Sequence, residues 1–174
     1  MKILETERLL LRPLSADDAE FMLELLNEPS YIRNIGDRGV RTLADANAYI
    51  LTGPVASHTK NGFGLYLVIL QETNESIGIC SLLKRDGLED ADIGYALLPK
   101  FWSKGYAVES ALAVKQYAKD VLGLKRIVAI TDPLNAGSIH VLEKLGLRFE
   151  KMVRLSEDDI ELKLFAVDFL DDRI

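Results

Sequence analysis

Between an apolar run that ends at Pro99 and a helical pattern that begins at Tyr106, the chain reads Trp102-Ser-Lys-Gly-Tyr-Ala-Val-Glu109. A glycine turn that carries a strand into a helix fixes two elements and the angle between them. It also leaves the first N–H groups of the helix without internal partners, where the helix dipole adds partial positive charge. Gly105 lets backbone approach a phosphate closely, and Lys104 can add a point charge. The turn is not a Walker A loop, because Lys104-Gly105 reverses the Gly-Lys order and no Ser or Thr follows to hold magnesium. The three glycines of a dinucleotide fingerprint are missing. Taken by itself, the octapeptide fits an anion site or a plain helix start equally well.

Three neighbouring segments narrow that choice. Before the turn runs Asp92-Ile-Gly-Tyr-Ala-Leu-Leu-Pro99. After the helix come Arg126-Ile-Val-Ala-Ile-Thr-Asp-Pro133 and then Asn135-Ala-Gly-Ser-Ile-His-Val-Leu-Glu-Lys-Leu-Gly146. With the W-x-x-G-x-A spacing of the turn, this order resembles the core of the GNAT acetyltransferase superfamily. That family's acyl-CoA motif is usually written Q/R-x-x-G-x-G/A, and Trp102 stands where Gln or Arg is usual. The Ile-Gly-Tyr strand, Trp102 and the pair Asn135/Ser138 are similar to the branch that includes the ribosomal-protein-alanine acetyltransferases. So is the opening Thr6-Glu-Arg-Leu-Leu-Leu-Arg-Pro13. The likeness runs from about Glu5 to Phe169.

Length and composition agree with a single domain over 1–174. The chain has 174 residues, 48% hydrophobic and 28% charged, which suits a packed core and not a disordered chain. No apolar run reaches the length of a membrane span. The N-terminus carries acids and lacks the apolar stretch of a secretory signal, so a cytoplasmic location is expected. One cysteine and two histidines give no zinc spacing, and no metal is expected. Cys80, in an apolar run, reads as a buried small hydrophobe. A net charge of −6 speaks against nucleic acid and would suit a cationic amine.

The pattern predicts a strand over 8–12 and a helix capped by Ser15 and stopped by Pro29. Irregular chain follows over 31–41, then a helix capped by Thr42 and broken at Gly53-Pro54. Apolar runs at 64–70 and 77–83 read as a hairpin. A charged turn at 84–91 leads to a strand at 93–98 and a helix at 106–122. A strand at 126–131, a helix at 137–145 and a last hairpin of 147–154 with 161–169 complete the order. This is neither strict βαβ alternation nor an all-β pattern. It predicts an α+β fold: a mixed, mostly antiparallel sheet of about seven strands with helices on both faces.

The resemblance implies chemistry for particular residues. Acetyl-CoA is the expected donor, held where the strands at 93–98 and 126–131 splay apart. Its pantetheine amides would pair with the main chain of Ala96, Leu97 and Leu98, a form of strand addition. Its pyrophosphate would rest on the N–H groups of Ser103, Lys104, Gly105, Tyr106 and Ala107, with Trp102 beside the cofactor as a core or cleft-wall aromatic. Asn135 would hold the arm near the thioester from the other side. Many relatives carry a Tyr acid where this chain has Leu142; in the resembled branch a Ser three after the Asn takes that role, here Ser138. Asp92 occupies a frequent acidic position and is the candidate base, directly or through water, against a reading as a solvated strand-start acid. Glu109 reads as a helix-start carboxylate favoured by the dipole. Tyr95 reads as a core or cleft-wall aromatic, His140 as a surface or packing residue, and His58 is left unassigned in a loop. The acceptor is a small-molecule amine or a protein N-terminal amine, attacked directly in a ternary complex by a monomer or homodimer. The competing expectations are a non-catalytic acyl-CoA-binding module on the same fold and an unrelated nucleotide-phosphate binder.

Overall fold

The computed structural model describes residues 4–170, so both ends of the expected 1–174 domain lie outside the described residues. Eight strands form one sheet: β1 (Leu4–Glu5), β2 (Leu9–Pro13), β3 (Leu65–Leu70), β4 (Glu75–Leu83), β5 (Asp92–Leu97), β6 (Arg126–Thr131), β7 (Arg148–Val153) and β8 (Leu162–Asp168). Their spatial order is β1-β2-β3-β4-β5-β6-β8-β7. Every neighbouring pair is antiparallel except β5 and β6. The extra strand is β1, whose two residues pair with Leu10 and Leu11. A strand that short carries no readable alternation. It forms because Thr6 closes a turn, its N–H donating to the Leu9 carbonyl at 2.9 Å.

Among the described residues six α-helices flank the sheet: α1 (Ala19–Leu26), α2 (Pro29–Asn34), α3 (Leu43–Ile50), α4 (Ala56–Asn61), α5 (Tyr106–Asp120) and α6 (Ala136–Lys144). Two prolines act differently from expectation. Pro29 opens α2, because a first-turn residue needs no N–H partner and proline's φ is already helical. Buried Tyr31 then anchors the segment expected to be irregular. Gly53-Pro54 does not break the second long helix. The chain widens into a π turn over Leu51–Val55 with Pro54 inside it, and runs on into α4. The stop comes at Gly62, at φ 79°. Thr42 caps α3 as expected, accepting from the Asp45 N–H at 3.1 Å.

Strand alternation sorts the two faces. Tyr66, Cys80 and Tyr95 stand in one row across β3, β4 and β5. That row faces α5, whose Tyr117 meets Tyr66 edge-on at 6.4 Å. Arg12 and Asp92 fall on the other face; Arg12 is anchored by Asp18 at the start of α1, at 2.8 and 2.9 Å. Cys80 is fully buried and burial pushes its thiol up to about 12, so it is an inert core residue. Among the described residues no helix is long and apolar enough to cross a membrane.

Candidate active site

The turn before α5 is built from unusual backbone. Ser103 and Gly105 both adopt positive φ, 60° and 82°. Gly105 is the N-cap of α5 and offers no side chain to the helix, so its leading N–H groups keep no side-chain cap. The one acid in this first turn is turned away. Glu109 accepts from Thr6 Oγ1 at 2.6 Å, the Arg8 N–H at 2.9 Å and Arg8 Nε at 2.7 Å. The same guanidinium donates to the Lys104 carbonyl at 2.9 Å and lies 4.4 Å over the Tyr106 ring. Arg8 and Glu109 thus strap the first strand segment to the turn. Burial alone would raise the Glu109 carboxyl; the hydrogen bonds from Thr6 and Arg8 outweigh it and hold it below the usual range. Trp102 is 45% exposed, yet its indole N–H is fixed on the Leu97 carbonyl at 2.9 Å.

Behind the turn β5 and β6 separate. They are bridged at Asp92 and Val128, and the rest of β5 has no partner on that side among the described residues. This is the expected gap, with a correction to which groups face it. In an antiparallel pair successive residues point their N–H and C=O to opposite neighbours. Leu98 donates to Ile77 on the β4 side, and Ala96 shares its parity. The groups turned toward the gap are therefore those of Tyr95 and Leu97, not Ala96 and Leu98. The Leu97 carbonyl is already taken by Trp102, which leaves the Leu97 N–H and both groups of Tyr95.

The opposite wall is the start of α6. Asn135 caps it, Oδ1 accepting from the Ser138 N–H at 3.1 Å. Tyr95 reaches across from β5: its hydroxyl donates to the Ser138 carbonyl at 2.9 Å and lies 3.1 Å from Ser138 Oγ. Tyr95 has one proton to give. With that proton on the carbonyl, the Ser138 hydroxyl donates to Tyr95. Burial pushes the Tyr95 phenol up to about 12, so it stays protonated. Leu142, where a Tyr is usual, is core at 1% exposure.

Asp92 is not a solvated acid. It is 2% exposed, and both carboxylate oxygens lie 3.0 Å from Arg85 Nε. Burial pushes its carboxyl up, and Arg85 pulls against that shift. Asp92 and Tyr95 are three positions apart, so the two side chains lie on opposite faces of β5. His58 belongs to α4, where Nε2 donates to the Leu65 carbonyl at 2.9 Å and the ring packs on Tyr66. His140 is exposed. Arg8, Arg85 and the Tyr95 hydroxyl are the site groups that spacing alone does not reveal. Each acts through a partner 7 to 101 positions away.

This architecture, a sheet split between two parallel neighbours with a glycine turn and bare helix start at the mouth, is that of an acyl-CoA-dependent transferase. The model of the acetyltransferase (GNAT) domain matches residues 8–148. The chain is 30% identical over 154 residues to the uncharacterised N-acetyltransferase YoaA of Bacillus subtilis, covering 87% of this chain and 86% of that one. A GNAT-family acetyltransferase from Bacillus anthracis superposes with a TM-score of 0.79 at 27% identity, over 96% of this chain and 98% of that chain. The fold is shared too with RimL, the ribosomal L7/L12 α-N-protein acetyltransferase solved with coenzyme A. There the TM-score is 0.83 at 19% identity, over 96% and 98% of the two chains. The protein belongs to the GNAT acetyltransferase family. It is an N-acetyltransferase, and acetyl-CoA is its donor.

Proposed function

We propose that the chain, as one domain over 1–174 working in the cytoplasm as a monomer or homodimer, acetylates a primary amine by direct attack in a ternary complex. Bound acetyl-CoA supplies a thioester, so that an ammonium group becomes an amide with release of free thiol and one proton. The observation that carries the reading is the arrangement around β5. An open strand edge lies between a hydroxyl pair on one face and a buried carboxylate on the other.

In this reading the N–H groups of the turn over 103–107 hold the pyrophosphate, and Lys104 adds charge beside them. The Tyr95 and Leu97 backbone groups align the pantetheine arm by strand addition. Asn135 Nδ2 is available to the same arm, its Oδ1 being used on the Ser138 N–H. As the sulfur leaves, the Tyr95 hydroxyl turns its proton from the Ser138 carbonyl to Ser138 Oγ, which frees the Ser138 proton for the sulfur. Tyr95 is a positioning residue that fixes Ser138 and can restore its proton.

On the other face Asp92 receives the proton from the acceptor. Its burial excludes contact with the amine, so the transfer runs through a relay, by water or along the Arg85 side of the carboxylate. A carboxyl raised by burial is better matched to that task near neutral pH than an ordinary one. A thiol-release assay over a panel of amines and N-terminal peptides tests the proposal. Acetyl-CoA-dependent thiol release with mass-verified acetylated amine supports it. Tight acetyl-CoA binding without transfer to any amine overturns it in favour of a binding module.

A further inference from the structure

A groove of about 400 Å³ lies on the Asp92 face, between α3, the π turn and α4 on one side and the end of β4 on the other. Its lining includes Arg38, Lys60, Lys84 and Arg85, together with Tyr49 and Asn61, and among the described residues contains no Asp or Glu. The chain as a whole has 27 acids against 21 Lys and Arg, so chance would put more acids than bases here.

Only one of these cations is spent on an internal carboxylate. Arg85 holds Asp92. Arg38 lies near the Tyr31 and Tyr49 hydroxyls, both neutral groups. Lys84 donates to the Glu89 carbonyl, a neutral group. Lys60 is exposed on α4. Three of the four therefore have no carboxylate partner among the described residues. Arg85 joins the groove to the reaction centre. It lines the groove and grips Asp92, the residue where β5 and β6 are still bridged and beyond which the gap opens.

We infer that this groove binds the acceptor, and that the acceptor is a small amine carrying an anionic group, carboxylate or phosphate, at its far end. The inference rests on the acetyl-transfer reading and sharpens it. The anion sits among Arg38, Lys60 and Lys84, and the amine end points past Arg85 toward the gap. It reverses what the net charge of the whole chain suggests, because the local field at a site outweighs distant charges screened by salt. The volume suits a small molecule.

The experiment compares matched acceptors. These are the free acid and the amide of β-alanine and of γ-aminobutyrate, and phosphoethanolamine beside ethanolamine. The acidic member of a pair is expected to be favoured at least tenfold in kcat/KM, the worth of one charge-assisted hydrogen bond. The carboxylate and phosphate pairs show which anion is preferred. Lys60→Gln and Arg38→Gln should each raise KM for the acid about tenfold, with kcat and the affinity for CoA held, and should leave the amide unaffected. Equal use of acid and amide, or unchanged KM in both variants, overturns the inference while leaving acetyl transfer standing. Calorimetry of the same pairs on the CoA-loaded protein covers the opposite failure. Acid binding that is lost in Lys60→Gln, with no thiol release from any amine, keeps the groove and overturns the transfer reading.

Discussion

Replacing Gly105 by Val separates backbone strain from loss of the cofactor. Gly105 sits at φ 82°, a region where an L side chain costs roughly 1–2 kcal/mol, and more when β-branched. An added Cβ would also lie 3.2 Å from Arg8 Nη2, the group that straps the turn. A stability loss of about 2 kcal/mol corresponds to about 4–8 °C in Tm for a chain of this size. Gly123 gives the control. It has φ 65°, and its Cβ would meet nothing within 4 Å, so Gly123→Val carries the backbone strain away from the turn.

If the turn holds the pyrophosphate, the two variants should fall in Tm by similar amounts and differ in CoA affinity. Displacing one N–H-to-phosphate bond costs about 1.5–3 kcal/mol, which is roughly 10- to 100-fold in Kd. Calorimetry with CoA, at a temperature where both variants are folded by circular dichroism, makes the comparison. Undiminished affinity in Gly105→Val, or an equal drop in both variants, refutes the assignment of the turn.

Ser138→Ala should lower kcat more than it changes KM for acetyl-CoA, by at most about 10²-fold, since a thiolate already leaves readily. Tyr95→Phe should lower kcat in the same direction and add little to the Ser138→Ala loss, because the two hydroxyls act as one unit; additive losses would separate them. Asp92→Asn should cost about 10²-fold in rate and make the rate climb with pH toward the pKa of the acceptor amine; a retained rate and pH profile would remove Asp92 as base. Ser103→Gly should raise Tm by about 1–4 °C, since the left-handed φ of 60° is less costly for glycine, and a lower Tm would show that the serine side chain contributes there. Glu109→Gln should cost about 1–2 kcal/mol at pH 7 by weakening the Thr6–Arg8 strap. The Glu109 carboxyl is held low in the folded state, so its contribution is complete above the ordinary range near about 4.3 and fades as pH falls through the folded value. Urea titrations should accordingly show the gap between wild type and variant closing below about pH 4, and a gap independent of pH would mean the charge is not what matters.

The elements that flank the gap between β5 and β6 were legible because each carries a local signal. The strand over Arg126–Thr131 and the start of α5 at Tyr106 fall where apolar runs and glycine punctuation put them. The helix expected over 137–145 is α6, and Asn135 caps it. What stayed hidden depends on distance in sequence or on parity. Nothing near Gly53-Pro54 signals that a π turn would absorb the proline, since that outcome is set by packing Ile50 and Pro54 into the core. The residues of β5 that face the gap could not be named without the register to β4. A shift of one residue exchanges Ala96 and Leu98 for Tyr95 and Leu97.

The same parity explains how one short strand can serve two substrates. On β5 the side chains alternate between faces, while the backbone groups alternate between neighbours within the sheet. Tyr95 therefore sends its phenol to Ser138 on the α5 face and its own N–H and C=O into the gap. Asp92, three residues earlier, sends its carboxylate to Arg85 on the α3 face. A donor aligned along the strand edge and an acceptor arriving from the groove behind Arg85 would then meet where β5 and β6 part. The thiol would leave toward one face and the proton toward the other. A group placed to reach both faces would have to sit in the gap itself, where the proposed mechanism puts the donor. In the proposed mechanism, the division of acid and base between faces would follow from using a strand edge as the binding site. That makes Arg85, which spans groove and carboxylate, the residue through which changes in acceptor charge should reach the rate.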